Sequence, residues 1–545
     1  MSGGGPSARH TSENDSHVTF ETNVNATGKN KDVLAKHAER QPQTPAIVED
    51  FPDGYRRVMT YKAFNGEVNR IANSLLRLGF KSGDRLAWCG RNSAEVLIVQ
   101  QAIRKLGGQS VALNPRLTAH EVKLILEASE ARFVWADEDA TDLFLEVQTG
   151  GTESRLIVGY YEVADGQLRG EDITSGVTQE EPMGCAESPF GRPISFTSGT
   201  TGKPRGVMRP LLLPGCSELR LLAEMWGPAP HVCLTSGSLT HGGPGRTAMH
   251  ALARGDTVIV QRKFDPVDWL RLVDLYKVTL SYCAPIIIRD VCNLPAEVKA
   301  GYDRSSIRCI VAGAARWPYR LKLMYREDFP NDTLWEVYGS TELGSTTVMR
   351  PAEHWDKPDA CGKPVPGVDI VLVGPDGRRI STPYQRGLLY AKSDSLFEGY
   401  VGDQSAFEAA RWGDGYFTSG DVAYFDEDGY FYICDREKDM IVSGGVNIYP
   451  GEIEAVVETC AGVLECAVVG VPDDRWGEVV HAVIIPKETG QLSAEIVIAH
   501  CRTYLAPYKL PRSIEFVSEL PRTSSGKVRK RDLRSRYWAG TGRSV

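Results

Sequence analysis

Phe196-Thr197-Ser198-Gly199-Thr200-Thr201-Gly202-Lys203-Pro204-Arg205-Gly206-Val207 is the stretch on which the reading of this chain turns. It holds four hydroxyl side chains, three glycines and two cations within twelve residues. Glycine lets a backbone bend sharply and approach a ligand closely. Successive backbone N–H groups in such a loop form an anion-binding concavity, and hydroxyls and a lysine add donors suited to phosphate. The combination predicts a cradle for a polyphosphate, ATP foremost, formed by Thr197, Ser198, Gly199, Thr200, Thr201, Gly202 and Lys203. The competing reading is a flexible surface linker. The strand-like run Ile194-Ser195-Phe196 argues against it, since Gly/Ser linkers carry few apolar flanks. The loop is not a Walker loop, which needs four residues between its first glycine and the Gly-Lys pair. Pro204 lacks an N–H and biases Lys203 away from helix, so no helix is expected to open here.

Outward from this loop, helical and strand-like segments alternate. Asn69 to Leu76 has helical apolar spacing with Gly79 as a stop. Arg85 to Cys89, Phe133 to Ala136, Asp256 to Val260 and Ile307 to Ala312 read as strands. Thr118 and Glu121 fit a capping box opening a helix. The alternation predicts an α/β fold: a large N-terminal domain of mixed, mostly parallel sheets flanked by helices. The charged run Cys434 to Met440 follows the tight turn Asp426-Glu427-Asp428-Gly429, and Pro450 and Glu452 suit a helix start. This predicts a boundary, with a small mobile α+β domain after it. The expected organisation is a disordered leader over 1–30, a binding domain over 31–435, a hinge over 436–439 and a lid over 440–545.

At 545 residues the chain exceeds what one hydrophobic core organises, about 250–300 residues. A net charge of −8 argues against a nucleic-acid partner. The twelve cysteines are scattered without a CxxC pair, which reads as reduced thiols in a cytoplasmic protein. No apolar run approaches the ~20 residues of a membrane helix. A homo-oligomer is compatible with the sequence.

Five further motifs accompany the loop: Tyr338-Gly339-Ser340-Thr341-Glu342, Gly415 to Asp421, Asp435-Arg436-Glu437-Lys438-Asp439 through Glu454, Pro521 to Lys527, and Leu239-Thr240-His241-Gly242-Gly243. Together, over about residues 32–535, they resemble the acyl-adenylate-forming superfamily: acyl-CoA synthetases, firefly luciferases and the adenylation domains of peptide synthetases. The resemblance implies an ATP-dependent acid–CoA ligase of the acyl-CoA synthetase branch. A carboxylate would join the α-phosphate of ATP with loss of pyrophosphate, and the thiol of CoA would then displace AMP.

The resemblance also implies roles, each with a physical rationale. Glu342 and Thr201 would serve Mg²⁺, an oxygen-seeking ion. Asp421 would accept from the ribose hydroxyls, since a carboxylate is acceptor-only, with Arg436 nearby. Gly313-Ala314-Ala315 would leave room for adenine and Tyr338 would stack on it. Lys527 would bring a compact charge between the carboxylate and the α-phosphate. Thr197 and His241 are further catalytic candidates, His241 bordering the acyl site. Lys438 would be the hinge, and Gly444 and Gly445 would face pantetheine after rotation. Taken singly, each of these residues also has a bland reading as a solvated charge, a turn residue or a structural histidine.

The small residues Gly242, Gly243, Gly245, Gly344, Ser345 and Thr346 suggest a hydrophobic acid that is long or bulky, as in fatty acid metabolism. Trp317 and Tyr319 are expected either to line its wall or to pack in the core. An aryl or steroid side-chain acid is the alternative, as is a carrier protein in place of CoA. Three departures from the family pattern stand out: Ser419 before Gly420-Asp421, Arg316 after Ala315, and Met208-Arg209 after the loop.

Overall fold

A computed structural model describes residues 32–137, 156–159, 168–183, 191–198, 204–330, 332–487, 492–523 and 526–539, with a few positions between 140 and 147. The leader expected over 1–30 lies outside the described residues, as do Gly199 to Lys203 and the side chain of Ser198.

Two large sheets carry the α/β character. The first has nine strands, with six mutually parallel in the order Leu334–Ser340, Cys309–Ala312, Leu280–Cys283, Val232–Thr235, Thr257–Val260 and Pro45–Asp50. The second has eight. Its parallel portion runs from Ile194–Ser198 through Gln109–Leu113, Arg85–Cys89 and Phe133–Ala136 to Leu156–Gly159 and Leu168–Arg169. Both parallel regions read as near-continuous apolar runs because both faces are covered.

Helix Tyr61–Arg77 shows how local sequence builds this layer. Thr60 caps it by accepting from the N–H of Ala63 at 3.3 Å. Phe64, Val68, Ile71, Ala72 and Leu75 then fall on one buried face. Each such large side chain contributes about 1.5–3 kcal/mol by leaving water. The chain turns out of the helix at Gly79, whose φ of +83° suits glycine. The helix at Ala119–Ser129 opens with the Thr118–Glu121 capping box. One continuous core joins the two sheets, drawing Ile47 and Val258 from the first, Phe64 and Leu97 from helices, and Trp88 from the second.

A third sheet, of seven strands between Asp369 and Arg436, is wholly antiparallel, a hairpin-rich unit that the alternation of helix and strand signals did not single out. Its Ile370 and Leu389 share the same core. Beyond it, a five-stranded sheet of Ile441–Ser443, Val446–Ile448, Val463–Asp473, Gly477–Pro486 and Ser513–Phe516 carries helices Pro450–Val457, Ala494–Tyr504 and Lys530–Trp538. It has its own core around Ile453, Val468, Ile484 and Val497. No described helix is long and apolar enough to cross a membrane.

Candidate active site

The loop quoted at the outset sits on a hairpin. Ile194–Ser198 pairs antiparallel with Pro204–Met208, bringing Ser198 opposite Pro204 and Thr197 opposite Arg205. As expected from Pro204, a strand follows the loop and not a helix. The Thr197 hydroxyl donates to the Arg205 carbonyl at 3.4 Å. The Arg205 guanidinium lies 4.8 Å from the ring centre of Tyr400, whose hydroxyl donates to Glu342 at 3.3 Å. Tyr400 is in reach because Gly399–Tyr400 adds to the hairpin as an edge strand. Thr197 and Glu342 are thus linked through Arg205 and Tyr400.

Glu342 follows strand Leu334–Ser340. Gly339 there admits no side chain, since a Cβ would lie 2.0 Å from the carbonyl oxygen of Gly344. Among the described residues no three His, Cys, Asp or Glu gather as a metal site. A single carboxylate is the donor set of an ion held chiefly by substrate phosphates and water, the way Mg²⁺ is held, so Glu342 fits that ion. Behind it, Arg209 donates to the Thr341 carbonyl at 2.9 Å and lies 3.3 Å from the Glu218 carboxylate.

Asp421 and Arg436 are brought together by one hairpin. Strand Asp421–Phe425 pairs with Phe431–Arg436, with Asp421 opposite Arg436 at the open end. The closed end is fixed by Asp426, whose carboxylate accepts from the N–H groups of Asp428 and Tyr430 at 3.0 and 2.9 Å. Gly429 supplies the positive φ of +78°. Asp421 is 7% exposed and accepts from the Tyr338 hydroxyl at 2.8 Å and the Ser419 hydroxyl at 2.7 Å. Arg436 Nε lies 3.5 Å away. The unusual Ser419 therefore retains the donor its position needs. Burial and the adjoining carboxylate push the Tyr338 phenol well above its ordinary value, so it stays a donor. Tyr338 was expected to stack on adenine; its hydroxyl is engaged in holding Asp421.

Lys527 arrives from the far end of the chain. Its loop is tight: the N–H of Thr523 donates to the Lys527 carbonyl at 2.7 Å, that of Gly526 to the Thr523 carbonyl at 2.9 Å, and Gly526 has φ +82°. The ammonium faces Arg436, Asp421 and Glu342 electrostatically. Enclosure by the cleft, then Arg436, push its pKa down, while Asp421 and Glu342 pull it back up. Lys527 and Arg436 keep solvent access, with the Arg436 side chain 44% exposed, as expected of groups lining an open cleft.

The loop is docked by a clamp that sequence reasoning missed. Glu465 accepts from Arg289 at 2.7 Å and from Arg522, and Arg522 also donates to the Gly526 carbonyl at 2.9 Å. Arg289 belongs to helix Pro285–Cys292, whose Ile286 would lie 3.2 Å from a Cβ on Gly526. Burial alone would raise the Glu465 carboxyl, but Arg522 and Arg289 hold it below its ordinary value. A second tie runs from Arg316 to the Gly451 carbonyl at 3.0 Å and to Asp359 at 2.9 Å, which gives the departure at Arg316 a physical use. No local pattern announces these partners, because Arg289 and Glu465 are 176 positions apart.

The remaining candidates fall in two groups. Gly313, Ala314 and Ala315 follow strand Cys309–Ala312, and Ala314 adopts φ +71°, a left-handed conformation costing about 1–2 kcal/mol for a residue with a Cβ. His241 caps helix Gly242–Arg254, its N–H donating to the Ser238 carbonyl at 3.0 Å. Ser340 accepts from the Leu343 N–H at 3.0 Å. Away from these groups, Gly444 and Gly445 form an exposed hairpin turn with φ +56° and +83°, Gly444 lying against Trp476. Lys438 lies in the short turn Glu437–Asp439, and its carbonyl accepts from Arg534 at 3.0 Å. Trp317 lines no acyl wall: it is 1% exposed and packs edge-on to Tyr325 in the core. Tyr319 is at the surface.

Comparison with known proteins agrees with this geometry. Residues 34–401 match the model of the AMP-binding enzyme family, and residues 452–527 match the AMP-binding enzyme C-terminal domain. Feruloyl-CoA synthase of an Amycolatopsis species is 34% identical over 88% of this chain and 94% of its own length. A long-chain-fatty-acid–CoA ligase of Mycobacterium tuberculosis is 30% identical over 93% of this chain and 98% of its own. The structure of o-succinylbenzoate CoA synthetase from Bacillus subtilis, bound to its acyl-adenylate, superposes with a TM-score of 0.77. It is 26% identical and covers 92% of this chain and 97% of its own. With both family domains matched and these relatives covered along most of their length, the chain belongs to the AMP-binding enzymes, in the CoA-ligase branch of the acyl-adenylate-forming superfamily.

Proposed function

We propose that this enzyme joins a bulky, largely apolar carboxylic acid to coenzyme A in two steps driven by ATP. The observation that carries the reading is the convergence of Lys527 with Glu342, Asp421 and Arg436 in one cleft, from segments far apart in the chain. In the first step a carboxylate oxygen attacks the α-phosphorus, the bond to the bridging oxygen breaks, and pyrophosphate leaves. Two anions must meet, so positive charge at the point of attack lowers the barrier. Lys527 supplies it, reaching toward the α-phosphate and the carboxylate together. Asp421 accepts from the ribose hydroxyls, kept oriented by Tyr338 and Ser419, with Arg436 beside it. The hairpin loop from Thr197 to Lys203 holds the outgoing pyrophosphate end. Mg²⁺, carried by Glu342 with Thr201, neutralises phosphate charge when bound.

In the second step the CoA thiolate attacks the acyl carbonyl, and the bond to the AMP oxygen breaks. We place the hinge at 436–439, around Lys438. The unit after it must undock to clear Lys527 and present Gly444 and Gly445 to pantetheine. The ties it would release are Arg289–Glu465 and Arg316–Gly451.

The test is a screen of fatty, aryl and polycyclic acids for acid-dependent pyrophosphate release from ATP, followed by thioester formation with CoA. The expected products are AMP, pyrophosphate and an acyl-CoA. ADP and phosphate as the products of a productive reaction would refute the reading.

A further inference from the structure

Beside the groups proposed to face ATP lies an arginine cluster that the two-step chemistry does not use. Helix Gly242–Arg254 packs on the first sheet against strand Leu280–Cys283. Gly243 and Arg246 are three positions apart and so share a face. The Tyr282 ring fills the gap this creates: a Cβ on Gly243 would lie 2.3 Å from its Cζ, and one on Gly313 would lie 2.5 Å from its hydroxyl. Tyr282 therefore stands between the start of the His241 helix and the segment Gly313-Ala314-Ala315. Its hydroxyl donates to no described residue, and burial raises it to about 12, so it is a neutral donor.

Arg246 faces the same space. It donates through Nε to the Gly242 carbonyl at 3.2 Å and through Nη1 to Glu218, leaving Nη2 without a partner among the described residues. Its side chain is 32% exposed, whereas Glu218 and Arg209 behind it are 5% and 6% exposed. One buried carboxylate thus serves two arginines. His250 adds no charge, since burial holds it down near 4. Glu342 acts on Arg209 and Asp394 on Glu218 from the other side of the cluster, so Arg246 is the member that turns a spare N–H toward the open space. The cluster's place is the edge of the site: a Cβ on Gly344 would lie 3.3 Å from Arg209 Nη2 and 3.5 Å from Glu218.

Building on the ligase reading, we propose that Arg246 and Tyr282 form a polar end to the acyl subsite. The acid activated here carries a second oxygen acceptor, by preference a carboxylate, at the end remote from the reacting group. A purely hydrocarbon tail would strip water from a guanidinium N–H and a phenol and return nothing, and sites built on such donors reject ligands that leave them unpaired. A carboxylate matches the guanidinium fork.

The experiment compares acids of one shape and length that end in a carboxylate, a hydroxyl or a hydrogen, both aryl and straight-chain, by kcat/KM for pyrophosphate release. Wild-type enzyme is expected to favour the carboxylate over the hydrogen by about thirtyfold or more, as charge-assisted hydrogen bonds allow. In Arg246→Gln that ratio should fall to about threefold or less, mainly through KM, and Arg246→Lys should restore part of it. Tyr282→Phe should cut the hydroxyl-over-hydrogen ratio about fivefold. Thermal midpoint and AMP affinity report whether each variant is folded. If Arg246→Gln does not fold, the wild-type ratios and Tyr282→Phe decide. Preference for the hydrogen-ended acids, or ratios unchanged in folded Arg246→Gln and Tyr282→Phe, would overturn the subsite while leaving a ligase. Turnover of no acid at all would overturn both.

Discussion

Asp421 and Lys527 face one cleft, yet they are held there in opposite ways. Asp421 sits on a hairpin that closes within sixteen residues, paired to Arg436 by the ladder itself and braced by Tyr338 and Ser419. Lys527 sits on a loop whose position depends on Glu465, a residue that grips Arg289 on the other side of the docking surface. The first arrangement is as stable as its sheet. The second lasts only while two units stay docked. In the proposed two-step reaction the nucleotide is gripped throughout and the lysine serves only one step, which suits this division.

The largest expected effect breaks the comparison at its docked end. Lys527→Ala should lower adenylation by about 10²–10³, the usual loss when one charge-stabilising donor is removed. Thioester formation from supplied acyl-adenylate should fall far less. Asp421→Asn should impair both steps alike, because the ribose stays bound through both. Pyrophosphate release and acyl-CoA formation, assayed separately, check this; equal losses in both steps for Lys527→Ala would contradict it.

Next in size is the clamp. Glu465→Ala leaves Arg289 and Arg522 partly buried without their carboxylate. Removing one partner of such a buried pair costs up to about 3–5 kcal/mol. Most of that should appear as undocking, so adenylation should drop about 10–100-fold while AMP affinity, set by the Asp421 hairpin, changes little. Isothermal titration with AMP beside the pyrophosphate assay checks it, and a matching loss of AMP affinity would tie the two regions together after all.

The smallest effect sharpens the comparison through pH. Glu458 lies on the docking side near Glu454, Glu465, Arg316 and Arg289, and burial, then Glu454, raise it to about 7. A carboxyl whose folded pKa is raised binds its proton more tightly when folded. Its contribution is therefore full at low pH and is lost as pH rises from about 4.5 to 7. Over that interval the contribution amounts to at most ~3.4 kcal/mol. Glu458→Gln should raise the thermal midpoint by a few degrees at pH 8 and hardly at all at pH 5. A midpoint shift equal at both pH values would refute this.

Much of the site was legible in the sequence because its parts are local. The strand after Pro204, the Asp426–Gly429 turn and the Thr118–Glu121 cap each follow from residues a few positions apart. Ser419 and Arg316 were visible as oddities, but their uses, a hydrogen bond to Asp421 and a tie to Gly451, appear only in three dimensions. Trp317, which the sequence left between an acyl wall and the core, belongs to the core, since apolarity alone does not say which of two apolar surroundings a ring occupies. The antiparallel sheet between Asp369 and Arg436 was overlooked for a similar reason. Three of its seven strands are only two residues long, below the length at which alternation becomes readable.

By itself, then, the sequence determined the α/β class, the strand that follows Pro204 and the charged groups proposed to serve ATP, because backbone turns and charge types are written in neighbouring residues. Tertiary structure alone decided which of those groups meet, that Glu465 docks the Lys527 loop, and that Arg246 and Tyr282 share a space. Each of these depends on contacts across long stretches of chain, whose formation is governed by the packing of whole layers and by no local preference.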